Sequence, residues 1–416
     1  MMLRLIVCLG LTVSVSAAEP GEPLVKSPYP ANLDRAATGK WWEVARKARE
    51  GQVSGVRHTT NKNIVTGRHF LDLEAPRDEV VCFALYTLHN RTLKMSAQLY
   101  PLFPDETRDV RLEVKRGDAW EQVATAKVND LGWSALFRIE NWDDTQTLPY
   151  RVLHGDSASF EGIIRKNPID KDQVVVASLS CNSSRDKGGR DAYIRNIKTL
   201  NPDLLFFAGD QHYDHTEHTA GWIMFGTQFR EVLKNRPVVT IPDDHDVGQA
   251  NLWGAGGIKA TSAAGPSGGY FYHPDYVKQV ERCQTAHLPD PVDPRPIKQG
   301  IGVYFTRMNV GGVDFAIIED RKFKSGPQAM MPEKKGRPDH YRDTNFSPKD
   351  ADVKGAVLLG ERQLAFLNTW SSDWKDVQMK AVLSQTPFVG AAHLHGGGNP
   401  KRKRWWFRWS SPRLST

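Results

Sequence analysis

The order of hydrophobic and polar positions changes once along the chain, close to residue 170. Between His69 and His154, short segments rich in β-branched and aromatic residues, such as VVCFALYTL, VRLEVKRG and ALFRIENW, are separated by turn-forming residues. Short strands at such regular spacing are typical of an antiparallel β-sandwich. We therefore predict a small β-sandwich domain at residues 66–155, with a structural or substrate-positioning role.

After residue 170 the pattern predicts almost wholly apolar strands that alternate with helices. VVVASLSC, DLLFFAGD and PVVTIPDDHD are predicted strands, and DAYIRNIKTLNP and WIMFGTQFREVLKN are the helices between them. VYFTRMNVGGVDFAIIEDR predicts a hairpin that turns at Gly311 and Gly312, followed by a helix at GERQLAFLNTWSSD and a strand at MKAVLSQTPF. Apolar strands that alternate with helices indicate a sheet covered on both faces. The predicted fold class is therefore α/β.

The first 18 residues have the pattern of a secretory signal peptide. In MMLRLIVCLGLTVSVSAAEP, Arg4 precedes an apolar run, and small residues at Ala17 and Ala18 suit cleavage. The run is too short to cross a bilayer, and no later segment reaches the length of a transmembrane helix. We expect a periplasmic or extracellular protein. A leader at residues 19–65 follows, with helical spacing over Leu33–Glu50.

The charge of the chain is concentrated at its C-terminal end. The 416 residues carry a formal net charge of +7, and the stretch from Lys401 onward holds six cations and no acid. The rest of the chain is nearly neutral, so the net charge does not indicate a nucleic-acid-binding surface. Residues 396–416 are a basic tail rich in tryptophan.

The cysteine count leaves one thiol unpaired. Once Cys8 is removed with the signal peptide, Cys82, Cys181 and Cys283 remain. In an exported protein, an odd number of cysteines leaves at least one free or bound to a metal. A disulfide between Cys82 and Cys283 is an open alternative.

Polar clusters follow three successive apolar strands. They are Ser-Cys-Asn at residues 180–182, Gly-Asp-Gln-His-Tyr at 209–213 and Asp-Asp-His-Asp at 243–246. Singly, each has an ordinary structural explanation as a buried cysteine, a turn or a solvated loop. Because sites in open α/β sheets form beyond the carboxyl ends of strands, we expect the clusters to meet. Their mixture of hard and soft donors suits a transition metal beside a harder cation.

These blocks, in the order SC(N), GDQxY and DDHD, resemble the PhoD-like branch of the calcineurin-like metallophosphoesterase superfamily. EDRKFKSG, LLGERQLAFL and VLSQTPF resemble the same branch, and the resemblance covers roughly residues 65–395. It implies a four-layer metallophosphoesterase sandwich at residues 170–395, preceded by the β-sandwich domain. It also implies a secreted alkaline phosphatase or phosphodiesterase. Such an enzyme hydrolyses small-molecule or lipid phosphate esters by attack of a metal-activated hydroxide on phosphorus, and a nucleic acid enters only as a phosphodiester substrate.

The resemblance also implies which residues form the site. Iron would be held by Cys181, Tyr213 and Asp210, and calcium by Asp210 with Asp244, in a dinuclear or trinuclear centre. Thiolate and phenolate favour a trivalent or soft metal, whereas carboxylates suit calcium. His245 would act at the leaving oxygen or a phosphoryl oxygen as a general acid or hydrogen-bond donor.

Further residues are weaker candidates for the same site. Asn182, Arg321 and Asn251 are candidates for binding phosphate, and Arg321 equally suits a structural ion pair. His212 and His215 have no counterpart in the family pattern, and we interpret them as residues behind or at the rim of the site. We expect the intervening Asp214 to be solvated.

The chain departs from the family pattern at both ends. PhoD-like proteins often carry a twin-arginine signal, whereas this leader has only Arg4. The family has a Gly-Asp-x-His-type block well after the VLSQTPF strand, whereas here 28 residues follow Phe388, including an early His393-Leu394-His395. The catalytic domain is therefore expected to be incomplete. The alternative function is a truncated, inactive phosphoesterase fold that retains metal or phosphate binding, and a weaker one is a serine hydrolase acting through Ser267.

Overall fold

The computed structural model describes residues 75–182, 190–263, 265–332 and 353–386. It also describes five residues near the N-terminus and the backbone of residues 340–341 and 407–408. The expected signal peptide at 1–18, most of the leader, the histidines at 393 and 395 and the side chains of the tail lie outside the described residues. The N-terminal residues described are Tyr29, Leu33, Asp34, Ala36 and Ala37.

Two antiparallel sheets form the first half of the described chain. A short 3₁₀ helix, Arg77–Glu79, precedes them. The strand orders are β1-β2-β5 and β4-β3-β6-β7. The last strand, β7, lies beyond the predicted boundary at residue 155. The strands are β1 (Val81–His89), β2 (Thr92–Leu99), β3 (Asp109–Arg116), β4 (Ala119–Lys127), β5 (Ser134–Ile139), β6 (Leu148–His154) and β7 (Ala158–Ile164).

The alternation of buried and exposed residues explains how these two sheets pack. In β3, Val110, Leu112 and Val114 are buried while the residues between them are partly or fully exposed. Residues two positions apart point to the same face of a strand, so β3 has one apolar face. This face joins Phe83 and Leu85 of β1 in a single hydrophobic cluster, which places the core between the two sheets.

A parallel sheet and a mixed sheet follow, so the chain has a mixed α/β fold. The parallel sheet has the order β10-β9-β8, and the mixed sheet β11-β12-β14. The three strands of the parallel sheet lie where the apolar runs predict them, with helices α1 and α2 between them. The strands are β8 (Val176–Leu179), β9 (Leu204–Phe207), β10 (Val238–Thr240), β11 (Thr306–Val310), β12 (Val313–Ile317), β13 (His340–Tyr341), β14 (Met379–Leu383) and β15 (Phe407–Arg408).

The helices cover the outer faces of these sheets. A further 3₁₀ helix spans Lys298–Gly300, and the predicted hairpin is formed by β11 and β12. The predicted helix that begins at residue 360 is α6, and it leads to the predicted strand β14. The helices are α1 (Asp191–Leu200), α2 (His218–Leu233), α3 (Pro274–Thr285), α4 (Asp320–Phe323), α5 (Pro327–Met330) and α6 (Gly360–Ser372).

Alternate residues of the strands show how these layers stack. Leu204 and Phe206 of β9 join Phe315 and Ile317 of β12 in one hydrophobic cluster, so the two sheets face each other. Phe207, on the opposite face of β9, packs against α2 instead. On the far side, the mixed sheet packs against α6. The order of layers is therefore helices, parallel sheet, mixed sheet and helix.

Helix α2 is apolar on more than one side because it is enclosed between two sheets. Its Phe225 lies against Phe207 of β9, with ring centroids 4.9 Å apart, and its Trp222 lies against Phe83 of β1 at 5.4 Å. A Cβ atom on Gly226 would lie 1.9 Å from the Phe83 ring, so glycine is required where the helix meets β1. Burial of α2 joins the antiparallel sheets to the parallel sheet in one core.

The leader does not form the predicted helix where it is described. Leu33 and Asp34 form bends and Ala36 and Ala37 a turn and a bend, and Asp34 has a φ of 47°, which interrupts a right-handed helix. The Asp34 carboxylate accepts hydrogen bonds from N and Oγ1 of Thr219 at 3.1 and 2.9 Å. These donors lie in the first turn of α2, whose N–H groups need acceptors. The helix prediction is therefore wrong at Asp34, because a distant helix end competes for its side chain.

The described cysteines are free, so the open alternative of a Cys82–Cys283 disulfide is wrong. The Cys82 and Cys283 thiols are both buried, and each faces a different backbone carbonyl, that of Ile223 and that of Gly132 respectively. Among the described residues, none of the helices combines the length and the apolar character that crossing a bilayer requires.

Candidate metal centre

The carboxyl ends of the parallel strands are held together by backbone hydrogen bonds. Cys181 N donates to Gly209 O at 3.2 Å, and Asn182 N donates to Asp210 O at 2.8 Å. Cys181 and Asp210 each have a φ of 56°, in the left-handed region that residues other than glycine seldom adopt. Such strained conformations persist where the surrounding structure fixes them and are common at functional sites. The segments after β8 and β9 thus lie side by side in a fixed conformation.

Gly209 allows the end of β9 to approach the end of β10. Its φ is +91°, and a Cβ atom at this position would lie 2.3 Å from Cβ of Asp243. Any larger residue would therefore push the two segments apart. Glycine at this position brings the Asp210 carboxylate beside the acidic segment at residues 243–246.

Asp246 holds these two segments in register. Its buried carboxylate accepts hydrogen bonds from the backbone N–H groups of Asp210 at 2.7 Å, Gln211 at 3.0 Å and Asp243 at 2.8 Å. The side-chain amide of Gln284 donates to it at 3.1 Å. Because its oxygens already accept these hydrogen bonds, Asp246 has a structural role, which the sequence pattern does not reveal. Asp244 is then the carboxylate of this block that remains for a metal.

Ligand-capable side chains converge on the Asp210 carboxylate. Oη of Tyr213 donates to Oδ2 of Asp210 at 2.8 Å, and Sγ of Cys181 donates to the same oxygen at 3.6 Å. Asp210, Asp244 and His245 also offer ligand atoms that all lie within 4.8 Å of one another. The structure thus brings the predicted metal residues and the predicted catalytic histidine to one edge of the parallel sheet.

Burial and mutual repulsion make this group of carboxylates suitable for a cation. Burial raises the pKa of Asp210 well above its ordinary range, and the charges of Asp244 and its acidic neighbours add to the shift. Burial and the Asp210 charge also raise the pKa of Tyr213, so the phenol retains its proton. A bound cation would relieve the repulsion and favour the ionised forms of these groups. Since carboxylate, imidazole, thiol and phenol are all ligand types, the residues present fit a bound metal.

Arg321 is paired with the acidic segment after β10. Its Nε lies 2.6 Å from Oδ1 of Asp243, and its Nη2 donates to Oδ2 of Asp243 at 3.0 Å. Nη2 also lies 3.6 Å from Oδ1 of Asp244. The side chain is buried. Of the two roles that the sequence leaves open for Arg321, the structure shows the ion pair, which holds both carboxylates in place.

A cavity of about 190 Å³ lies beside Cys181 and Asp210. Asn182 forms part of its wall, and its Nδ2 donates to Gln211 O at 3.0 Å and to Oε1 of Gln228 at 2.9 Å. Its Oδ1 accepts a hydrogen bond from Nε of Arg190 at 2.9 Å. The Asn182 amide is therefore fixed next to the centre. Arg190, which also lines the cavity, was not a candidate because nothing in the sequence distinguishes it from a surface arginine.

Asn251, the other candidate for binding phosphate, does not line this cavity. It is half-buried, and its carbonyl accepts a hydrogen bond from Nε2 of Gln249 at 3.5 Å. Its role in binding phosphate stays a prediction.

The histidines of the loop after β9 point in two directions. His212 is fully buried, and its Nε2 lies 2.8 Å from Nδ1 of His218 in α2. A Cβ atom on Gly221 would lie 2.5 Å from Cγ of His212, so glycine lets this ring pack against the helix. His215 instead faces the centre, where its Nε2 lies 2.5 Å from Nδ1 of His245. Of the two, only His215 is therefore adjacent to the candidate catalytic residue.

Asp214, expected to be solvated, is buried with 1% of its surface exposed. Its backbone N donates to Nδ1 of His212 at 3.3 Å, and its carbonyl accepts from Glu217 N at 3.1 Å. The expectation is wrong because the loop folds back against the start of α2 and encloses the short side chain.

Ser267 lacks the surroundings that a nucleophilic serine needs. Its Oγ lies 3.2 Å from Oγ1 of Thr261, and no strand leads directly into the loop at residues 265–273. The nucleophile elbow requires a strand before the serine and a helix after it, with a histidine as base. The weaker alternative of a serine hydrolase therefore has no support in the described geometry.

Comparison of the chain with protein-family models and with curated proteins gives no match.

Proposed function

We propose that this protein is a metal-dependent phosphoesterase of the PhoD-like kind. The observation that carries the proposal is the convergence of Cys181, Tyr213, Asp244 and His245 around the Asp210 carboxylate. The resemblance of the three sequence blocks to the PhoD-like branch supports it. So does the stacking of a parallel and a mixed sheet between helices, which is consistent with a metallophosphoesterase sandwich.

The metal would be held by the groups that converge at the strand ends. Asp210 with Cys181 and Tyr213 would hold one cation, and Asp210 with Asp244 would hold the other. Iron beside calcium is the pair that the resemblance implies. When bound, such ions lower the pKa of water and neutralise the charge of phosphate oxygens.

The side chains of the chain itself would orient the ester and handle a proton. When the bond between phosphorus and the leaving oxygen breaks, that oxygen gains negative charge and needs a proton. His245 would donate a hydrogen bond to this oxygen from Nε2, with its Nδ1 accepting from Nε2 of His215, and solvent would supply the proton. Arg321 would hold the acidic segment in place. The Asn182 amide, whose two hydrogens are donated to Gln211 O and Oε1 of Gln228, would shape the wall of the adjacent cavity.

Hydrolysis of two chromogenic esters tests this proposal. We expect the purified protein to release nitrophenolate from p-nitrophenyl phosphate or bis(p-nitrophenyl) phosphate at alkaline pH. A chelator, Asp210→Asn and Cys181→Ala should each abolish the activity, because each removes the metal or one of its ligands. Ser267→Ala is the matched control and should retain it, since a serine hydrolase would show the opposite pattern.

Elemental analysis of the same preparations separates the proposal from its alternative. Bound metal with turnover supports a phosphoesterase. Bound metal without turnover of either ester supports a metal-binding protein that has lost activity. Wild-type turnover in both Asp210→Asn and Cys181→Ala would contradict the assignment of the centre.

A further inference from the structure

His215, in the loop after β9, is in direct contact with His245 at the centre. Nε2 of His215 lies 2.5 Å from Nδ1 of His245, so the two nitrogens share one proton. The rings are also stacked, with centroids 4.8 Å apart and planes inclined at 26°. His215 is 7% exposed, which leaves little room for its ring to move.

The backbone of His215 is fixed by two other parts of the fold. Its carbonyl accepts a hydrogen bond from Oη of Tyr276 at 3.0 Å, and Tyr276 is a fully buried residue of α3. The carbonyl of the next residue, Thr216, accepts from Asp34 N at 2.6 Å. Helix α3 and the leader thus hold the loop on both sides of His215, and its ring is a fixed partner for His245.

His245 is enclosed on its other side by Tyr213. The Tyr213 ring lies 4.2 Å from the His245 ring, and the backbone N of His245 lies 3.4 Å from Oδ1 of Asp210. With Nδ1 in contact with His215, Nε2 is the ring nitrogen left for chemistry at the carboxylates. An imidazole that hydrogen-bonds through one nitrogen has its tautomer and its orientation set by that bond.

We propose that His215 is a positioning residue, which fixes the ring orientation of His245 and so presents Nε2 of His245 to the phosphate ester. This inference rests on the proposed phosphoesterase function. Its rival is that His215 only fills space beside His245. The rival predicts that an aromatic ring without nitrogen serves equally well, and this difference makes the two distinguishable.

A pair of substitutions at His215 tests the role of the hydrogen bond. His215→Phe keeps an aromatic ring and removes the bond, whereas the amide of His215→Gln can donate to or accept from Nδ1 of His245. We expect His215→Phe to lower kcat about 10- to 100-fold with KM changed less than about twofold, the range typical when a partner behind a catalytic group is lost. His215→Gln should regain most of the lost kcat.

His218→Phe is the matched control, because His218 makes the same kind of contact with His212 away from the centre. We expect its kcat per folded molecule to equal that of the wild type. Equal kcat in His215→Phe and the wild type would overturn the proposal. Equal loss of kcat in His215→Phe and His215→Gln would also overturn it, because the hydrogen bond would then not be the cause.

Crystal structures of the two His215 variants give a readout that does not depend on activity. In His215→Gln the His245 ring should keep its orientation, with the amide bonded to Nδ1. In His215→Phe the ring should turn, while the backbone at residues 243–246 stays in place because Asp246 holds it. A His245 ring with unchanged orientation in His215→Phe contradicts the inference. Absence of any wild-type turnover, with the ring turned in His215→Phe, would contradict the proposed function alone.

Discussion

The loop after β9 contributes one histidine to each of two histidine pairs. In the inner pair, His212 contacts His218, the first residue of helix α2, and both are fully buried. In the outer pair, His215 contacts His245, whose ring lies with Asp210 at the carboxyl end of the parallel sheet. The two pairs consist of the same side chains in almost the same contact. Under the proposed function, the direction of the side chain from the loop, and not the residue type, separates a stabilising role from a chemical one.

The acidic residues divide in the same way. Asp246 accepts hydrogen bonds from surrounding backbone N–H groups, so its oxygens are used within the fold. Asp210 and Asp244 remain near each other and near His245, so burial keeps them in mutual repulsion. Groups whose hydrogen bonds are satisfied inside the fold should govern stability. Asp210 and Asp244, whose negative charges repel each other, should govern metal binding and turnover.

The largest effect should come from substitution of Asp210. Asp210→Asn keeps the shape of the side chain but removes the charge on which the Tyr213 and Cys181 contacts converge. We expect loss of bound metal and at least about a 100-fold loss of kcat, more than the loss of a residue behind a ligand causes. Metal content and ester hydrolysis measure this effect. Thermal unfolding of the metal-free proteins is the control, and a large loss of stability there would place Asp210 with the structural acids.

The second largest effect should come from substitution of Asp246, whose hydrogen bonds are satisfied within the fold. Asp246→Ala leaves the buried N–H groups of Asp210, Gln211 and Asp243 without their acceptor. We expect the free energy of unfolding to fall by about 3–5 kcal/mol, since a buried charge and its hydrogen bonds are lost together. Denaturant unfolding of metal-free protein measures the fall. Asp244→Ala is the comparison, and an equal fall in that variant would erase the distinction between the two acids.

A smaller effect should separate the two histidine pairs. His218→Phe leaves Nε2 of His212 buried without its partner, which should lower the free energy of unfolding by about 1–3 kcal/mol. Denaturant unfolding at neutral pH measures this change. His215→Phe should lose less stability and more kcat. The opposite order, with activity lost in His218→Phe, would show that the inner pair also acts in catalysis.

The smallest effect concerns the pH dependence of the inner pair. Burial lowers the pKa of His218 to about 3, so its ring is neutral in the folded protein. In the unfolded chain a histidine has a pKa of about 6.5. Stability due to neutral His218 is therefore fully present above this value and is lost as the pH falls towards 3. Between about pH 7 and about pH 5, His218→Phe should lose about 2 kcal/mol less stability than the wild type.

Unfolding curves at the two pH values measure this difference in stability. A chelator in every sample excludes an effect of metal loss. Buried groups that do not contact His218 contribute equally to both proteins, so the difference between them reports on His218 and its partner His212. Parallel losses in the wild type and His218→Phe would mean that His218 is not buried in its neutral form.

The strands of the parallel sheet and the position of the candidate centre were accessible from sequence because both follow from local patterns. Wholly apolar runs predict buried parallel strands, and the ends of parallel strands meet at one edge, so Cys181, Asp210 and Asp244 are expected to lie together. Their convergence depends on Gly209, whose presence before Asp210 is visible in the sequence. Glycine is needed there because the backbone approaches Asp243 closely, and this approach is visible only in the structure.

The remaining roles depend on contacts between distant parts of the chain. Asp34 leaves the predicted helix because it binds Thr219, which is 185 positions away. The structural role of Asp246 is not visible in the sequence because Asp210, Gln211 and Gln284, which donate to it, come from other segments. The difference between His212 and His215 arises in a loop, where no periodicity relates side-chain direction to sequence. Periodicity describes helices and strands, so it carries no information about these residues.

Anomalous diffraction from crystals of the purified protein tests the central claim most directly. The account predicts metal at the carboxyl end of the parallel sheet, bound by Asp210 and Asp244, with Sγ of Cys181 and Oη of Tyr213 at ligand distance. The same peak should be absent from crystals of Asp210→Asn. No metal at Asp210 in metal-supplemented wild-type crystals, or metal bound only elsewhere, would contradict the account.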